Sequence, residues 1–526
     1  MRAEALAHAD AYFERGDFVR DVARRVAFRT ASQDPAGAPA LQAYLADELA
    51  PTLAALGFAG TIHPNPEAHG GPLLIAVRHE DDALPTVLMY GHGDVIRGQD
   101  ASWTAGRGPW DAAVDGDRLY GRGTADNKGQ HSINLAALAQ VLAVRGRLGF
   151  NVKWLFETSE ETGSPGLAAF CAEQRQLLAA DVLIASDGPR LHAADPTVFL
   201  GSRGVANFDL TLTLRDGAHH SGNWGGLLKN PGTVLAHAIA AMVDGRGRIL
   251  VDALRPPPIP DNVRAALAGL EVGGDAGDPA IDADWGEPGL TPAERVFAWN
   301  TLDVLAYRTG NPDFPINAIP PSAKAQLHMR FVVGTDIARL REHVRAHLDA
   351  RGYGAIEIGE PMVMPATRLD PDDPWVRCTL ASLERTAGRR PVLLPNLGGS
   401  LPNDVFADGL GLPTVWIPHS YPACQQHAPD EHLLLPVARE GLKLMTGLFW
   451  DLGKTGPGCR GARAGAKSKL PLSSGRAGMG PRPDAERAPE DRERPGRTRD
   501  ARLARGSHRV RHLEHRDSRH QSCRPP

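Results

Sequence analysis

The sequence has few cysteines, five in 526 residues, and none of them forms a C-x-x-C pair. An odd number without that spacing argues against a disulfide framework and against a thiolate zinc site. No apolar run approaches the ~18 to 20 residues that a spanning helix needs, which excludes a helical membrane protein. The opening stretch, MRAEALAHADAYFERGDFVRDVARR, carries acids and arginines throughout. It lacks the basic-then-apolar order of a secretion signal. It therefore reads as a surface helix, and the chain as cytoplasmic. What is present in quantity is apolar material: 42% of residues, enough for more than one core. At ~150 residues per domain, the length allows three or four domains.

The net charge of -4 conceals two different chains. Residues 453–526 hold 19 basic and 8 acidic residues, a net of +11, so the first 452 residues carry -15. The tail has five residues from Leu, Ile, Val and Phe, and no Trp or Tyr. It cannot bury enough apolar surface to offset the entropy of ordering it, so residues 453–526 are expected to be a disordered, Arg-rich tail. Its arginines form no stripe and no aromatics are interleaved for base stacking. Nucleic-acid binding is therefore expected at most as a non-specific property of the tail. Its composition fits an unselected, out-of-frame extension better.

Before residue 200, short apolar runs alternate with helical patterns. PTVLMY (85–90), FNVKWLF (150–156) and DVLIAS (181–186) are continuous and β-rich, as in strands buried on both faces. Between them, Ile133, Ala136, Ala137, Leu138, Val141 and Leu142 recur at helical spacing, predicting a helix over about 128–144. Ser164-Pro165 reads as an N-cap and first helical residue. This order predicts an α/β fold, a mostly parallel sheet with helices on both faces. From Gly204 the pattern changes. Strands are expected near 207–214, 302–307, 323–333 and 355–360, and helices near 233–243 and 336–350. That is β-α-β-β-α-β, a small two-layer domain interrupted at 245–300 by Pro-rich, acidic loop material. From about 366 the α/β character returns, with strands near 391–395 and 413–418 and a last helix near 436–450. The expected boundaries are a catalytic domain at 1–203 and 364–452, an inserted domain at 204–363 and the tail.

Polar groups gather where strands end. PTVLMY runs into Gly-His92-Gly-Asp94, FNVKWLF into Glu157 and then Glu160-Glu161, and DVLIAS into Asp187-Gly188. Asp126 stands in the loop GRGTADNKG before the helix at 128, and His427 opens HAPDE after the strand PTVWIP. Each signal alone is ordinary: an H-x-D is commonly a surface turn, and an Asp-Gly usually closes one. Together they converge outside the carboxyl ends of parallel strands, where such sheets bind ligands. Two imidazoles and three carboxylates suit Zn²⁺, and also Mn²⁺ or Co²⁺. A pair of ions needs a bridging carboxylate, and a further carboxylate must take a proton from water. The pair Glu160-Glu161 can supply one side chain to the metal and one to the water. Asp94 suits the task of fixing the His92 tautomer.

The segments YGHGDV (90–95), WDAAVDGDRLYGRGTADNKG (110–129), FETSEETGS (156–164), ASDG (185–188) and HAPDE (427–431) resemble the motifs of the dinuclear zinc aminoacylase and carboxypeptidase family. That family includes carnosinase-type dipeptidases, carboxypeptidase G, acetylornithine deacetylase and succinyl-diaminopimelate desuccinylase. The resemblance covers about residues 15–450. It implies that His92, Glu161, Asp187 and His427 are metal ligands, with Asp126 bridging two divalent ions through a cis peptide to Asn127. It implies Glu160 as the general base and Asp94 as the residue orienting His92. DGAHHSG (216–222) resembles the family's H-S-G segment and implies His220 at the functional position. INAIPPSAKAQLHMRF (316–331) and NLGGS (396–400) imply Asn317, Arg330, Gly399 and Ser400 as substrate contacts. The resemblance also implies a homodimer through the inserted domain, with His220 reaching the partner's active site.

There are departures. Ile96-Arg97 stands where the family often has Val-Pro, and His432 adds an imidazole near His427. The expected function is a two-metal hydrolase of a peptide or N-acyl amide bond in a small substrate with a free carboxylate. The HSGNWGG segment and the insertion at 245–300 point to the dipeptidase branch. An N-acyl-amino-acid deacylase is the alternative within the same chemistry, and a catalytically silent binding protein the alternative outside it.

Overall fold

The computed structural model describes residues 1–275 and 278–454. The expectation of disorder for the basic tail thus falls, from residue 455 onward, outside the described residues. The strands Asn151–Glu157, Thr86–His92, Val182–Ala185 and Thr414–Trp416 lie side by side and parallel at the centre of an eight-stranded sheet. Leu73–Arg78 and Ala59–His63 extend one edge antiparallel, and Thr197–Phe199 with Val392–Leu394 complete the other. Successive side chains of a strand enter opposite cores. Val87 and Met89 pack with Trp154 and Phe156 on one face, while Leu88 and Tyr90 pack with Leu155 and Leu183 on the other. Both faces are covered, which is why these strands read as unbroken apolar runs.

The first face is closed by Lys128–Arg145 and Leu435–Leu452, whose Ile133, Leu138, Leu442, Met445 and Phe449 share one core. Lys128–Arg145 stops at Gly146, which takes φ 73° and donates its amide to the Leu142 carbonyl at 2.8 Å, a left-handed cap that suits glycine. The expected helix start at Ser164-Pro165 is displaced. The helix runs over Leu167–Glu173, and the Ser164 hydroxyl donates to Glu157 Oε1 at 3.0 Å rather than capping. A buried carboxylate that needs a donor has outcompeted the cap. No described helix is long and apolar enough to cross a membrane.

Asp451 ties the last helix to two others. Its Oδ2 accepts from Arg2 Nε at 3.1 Å, Ser382 Oγ at 2.8 Å and Arg385 Nη2 at 2.7 Å. Asp451→Ala strands three donors around a largely buried position, so it should cost roughly 2 to 3 kcal/mol. Denaturant unfolding would check this. A midpoint unchanged from the parent would show that the cluster contributes nothing.

The second sheet is built as the pattern from Gly204 predicts. Thr301–Thr309, Ser322–Phe331, Gly204–Thr213 and Glu357–Ile358 pair antiparallel in that order. Pro231–Ala240 and Leu340–Asp349 cover one face, burying Leu235, Ala238, Val344 and Leu348 against Phe208, Leu210, Leu327 and Met329. The stretch 245–300 is more than loop. Asp261–Leu267 and Pro292–Phe297 are short helices, and their Val263, Leu267, Ala293 and Phe297 enter the large sheet's second core beside Leu394, Leu397 and Phe406. Each helix spans about two turns or fewer, too little for periodicity to stand out against proline and acidic residues.

Candidate metal centre

His92 is the last residue of its strand and pairs in register with Glu157 on the parallel neighbour. Gly93 follows because a Cβ there would lie 2.6 Å from the Tyr44 ring. Asp126 sits at the end of the loop that opens Lys128–Arg145, and the Asp126–Asn127 peptide is cis, as the resemblance implies. That loop lies so close to the helix that a Cβ on Gly129 would come within 1.9 Å of the Thr124 carbonyl.

The structure brings all five ligand candidates together. Asp126 Oδ1 is 2.9 Å from His92 Nε2, and Asp126 Oδ2 is 3.1 Å from His427 Nε2. Asp187 Oδ2 lies 3.6 Å from His92 Nε2, and Glu161 Oε2 lies 3.0 Å from His427 Nε2. Two triads result, His92–Asp126–Asp187 and Asp126–Glu161–His427, each with ligand atoms within 4.8 Å of one another. Asp126 belongs to both and turns one oxygen to each. His92, Asp126 and Asp187 are buried, while the His427 side chain is half exposed at the rim.

The electrostatics follow from this crowding. Burial opposes a charge on His92, but its hydrogen bonds to Asp126 and Asp94 raise it well above the ordinary imidazole range. Hydrogen bonds to Asp126 and Glu161 lift His427 to about 10. Asp126 is held low, despite burial, by the two histidines. The remaining carboxylates are shifted the other way. Burial and the Asp126 charge push Glu161 up to about 7 and Asp187 up to about 6. Burial lifts Glu160 well above the carboxylate range, and Asp187, Asp126 and Glu161 add to it. Asp187 Oδ2 is buried and accepts no hydrogen bond. Four clustered carboxylates with two imidazoles are an oxygen-and-nitrogen donor set with surplus negative charge. Such a set fits a pair of divalent cations.

Asp94 does more than face His92. Its carboxylate stands 3.4 Å from His92 Nδ1, while its own carbonyl is nearer at 3.0 Å. The same carboxylate accepts the Glu160 and Glu161 amides at 3.2 and 3.1 Å and the Ser32 hydroxyl at 2.7 Å. It therefore fixes the imidazole and the Glu-Glu turn together.

Glu160, Asp126, Asp187 and His427 line a cavity of about 570 Å³, along with Gly398, Gly399 and Ser400. Arg330 reaches this loop from the second sheet and donates through Nη1 to Ser400 Oγ at 2.7 Å. His220 and Asn317 lie elsewhere. His220 pairs with Ala318 in a two-stranded ribbon, the Ser221 amide donates to the Asn317 carbonyl at 2.9 Å, and neither His220 nor Asn317 lines the cavity. His432 is turned away from the metal ligands. Its Nε2 meets the Tyr421 hydroxyl at 2.6 Å and its Nδ1 faces the Asp430 carbonyl at 2.9 Å. The imidazole expected near His427 is thus part of the surrounding packing.

One residue of the HAPDE segment was given no role by sequence reasoning. Glu431 is buried and accepts the amides of Gly123, Ala125 and Asp126 at 3.0, 2.9 and 3.1 Å, while Arg122 Nη1 pairs with it at 2.8 Å. It holds the loop that presents Asp126. The available signal was the glycine-rich loop itself, whose free amides need an anion. Glu431→Ala should leave Arg122 unpaired and three amides unmatched. Support of this kind is worth about 10- to 100-fold in metal affinity. Metal titration of the variant checks it, and parent-like affinity would contradict the role.

The model of the peptidase family M20/M25/M40 matches residues 88–451. A cysteinylglycine-S-conjugate dipeptidase of Corynebacterium striatum is 28% identical over 361 residues, 66% of this chain and 76% of that protein. A Beta-Ala-His dipeptidase of Mus musculus is 33% identical over 183 residues, only 34% of this chain and 37% of that one. Among solved structures, an M20 family metallo-carboxypeptidase from Sulfolobus solfataricus superposes with a TM-score of 0.69 at 24% identity, covering 83% of this chain and 99% of that one. That last likeness is one of fold.

Proposed function

This chain belongs to the M20/M25/M40 peptidase family, a metal-dependent peptidase of the dipeptidase and carboxypeptidase kind, and on that footing we propose that it cleaves dipeptide-sized substrates with a free carboxylate through a two-ion centre. The observation that carries the proposal is Asp126, which offers one oxygen beside His92 and Asp187 and the other beside Glu161 and His427.

Two divalent ions held there, Zn²⁺ first with Mn²⁺ or Co²⁺ compatible, would polarise the scissile carbonyl and yield a water-derived nucleophile at neutral pH. Glu160 belongs to neither triad yet lines the cavity beside both. We assign it the proton, taken from the attacking water and delivered to the leaving nitrogen. Its place on the cavity wall beside both triads suits it to carry that proton between the two steps. Asp94 positions both His92 and the Glu160 backbone. Arg330 with Ser400, and the loop at Gly399, would hold the substrate carboxylate in a fork of donors.

His220 and Asn317 are assigned to the site of a second subunit. The edge strand Thr301–Thr309 supports such a dimer, because it leaves Val304, Leu305 and Tyr307 exposed beside unpaired backbone. A cytoplasmic setting is proposed with it.

Dialysis against a chelator should abolish hydrolysis, and re-adding Zn²⁺, Mn²⁺ or Co²⁺ should restore it. Activity untouched by complete metal removal would refute the two-ion reading. A panel of dipeptides and N-acyl amino acids then decides the bond. Cleavage of N-acyl amino acids alone would make the protein a deacylase instead.

A further inference from the structure

The metal-centre cavity does not end at its own walls. A second chamber of about 290 Å³ adjoins it and shares Val272 and Ile281 with it. The stretch 245–300 builds most of this chamber, with Trp285, Val296 and Trp299 among its walls. Ile281 and Trp285 are 53% and 51% exposed, large apolar side chains left open in an otherwise acidic, proline-rich stretch. An apolar cavity of about 150 Å³ already holds a benzene ring in another protein, so this chamber has room for a ring and its linker.

One guanidinium group stands where the chambers meet, and a second lies behind the loop that it bonds. Arg203 lines the second chamber and donates through Nε to the Gly398 carbonyl at 3.0 Å. Its Nη1 is buried with no hydrogen-bond partner. Arg330 bonds Ser400 Oγ, and Ser400 Oγ in turn donates to the Arg203 carbonyl at 2.7 Å. Gly398 and Ser400 line the metal-centre cavity. Burial together with the neighbouring Arg330 lowers Arg203 to about 10, against the pull of the Asp303 carboxylate. Asp303 on the chamber wall supplies one negative charge to both guanidinium groups, but the unsatisfied buried donor of Arg203 still calls for an acceptor such as a carboxylate oxygen.

We propose that the second chamber is a specificity pocket for a bulky apolar side chain on the carboxyl-terminal residue of the substrate. The inference rests on the peptidase reading above. A substrate carboxylate seated by Arg330 and Arg203 places the carboxyl-terminal residue at the junction of the chambers. From there its scissile bond faces the metal ligands and its side chain enters the pocket between Ile281 and Trp285. The chemistry selected is an aromatic or long aliphatic side chain rather than glycine.

The test uses the full chain loaded with Zn²⁺ and compares kcat/KM for Ala-Phe and Ala-Gly. The pocket predicts at least about a tenfold preference for Ala-Phe, the scale on which apolar pockets discriminate. Trp285→Ala removes a wall and should lower the Ala-Phe to Ala-Gly ratio by about tenfold. Ile281→Trp narrows the shared opening and should lower the same ratio. Both positions are half exposed, so the fold should survive either change. Hydrolysis of both dipeptides with no preference, or a ratio unmoved by both variants, would overturn the pocket while leaving the peptidase reading intact. No hydrolysis of either dipeptide would overturn both.

Discussion

Glu160→Gln should lower turnover by at least about 100-fold while both ions stay bound. The substitution keeps the shape of the side chain and removes its basicity. Glu160 is outside both ligand triads, so the metal content should not change. The neighbouring Glu161→Gln should do the reverse in order of events. It weakens the ion beside His427, whose Nε2 it meets at 3.0 Å, and activity falls because metal is lost. Measuring kcat and bound metal on the same samples separates the two. If Glu160→Gln empties the site and Glu161→Gln leaves it full, the roles within the pair are exchanged.

Asp126→Ala should have the larger effect on the centre as a whole. Its two oxygens serve both triads, so its removal should cost both ions, not one. Loss of their carbonyl and water activation is worth several kcal/mol, so hydrolysis should fall by on the order of 1,000-fold or more. Asp187→Ala is the contrasting variant, because Asp187 belongs only to the triad of His92. It should leave the ion near Glu161 and His427 in place. Elemental analysis that finds one ion retained in Asp126→Ala would mean that Asp126 does not bridge.

Much of this arrangement was legible in the sequence because burial on both faces writes itself as unbroken apolar runs. Val87 to Tyr90 alternate between two cores, so no polar face interrupts them. The ligand candidates could be found because each follows a strand or opens a helix at one sheet edge. The small sheet was legible for the opposite reason. Gly204–Thr213 alternates buried and half-buried residues, the signature of a strand with one open face.

What escaped was decided by contacts between distant segments. Ser164 looks like a cap until the buried Glu157 claims its hydroxyl. His432 looks like a spare ligand until Tyr421 and Asp430 hold its ring. Glu431 looks like one more acidic residue until three amides over 300 positions away close on it. The helices within 245–300 are too short to announce themselves, and their burial depends on a core contributed by other parts of the chain.

The central claim is that Asp126 bridges two ions. It is tested most directly by growing crystals with Zn²⁺ or Mn²⁺ and mapping anomalous scattering at the metal edge. The account predicts two peaks about 3.5 to 4 Å apart, one between His92 and Asp187, one between Glu161 and His427, with an Asp126 oxygen on each. A single peak, or two peaks with Asp126 bound to only one, would contradict it.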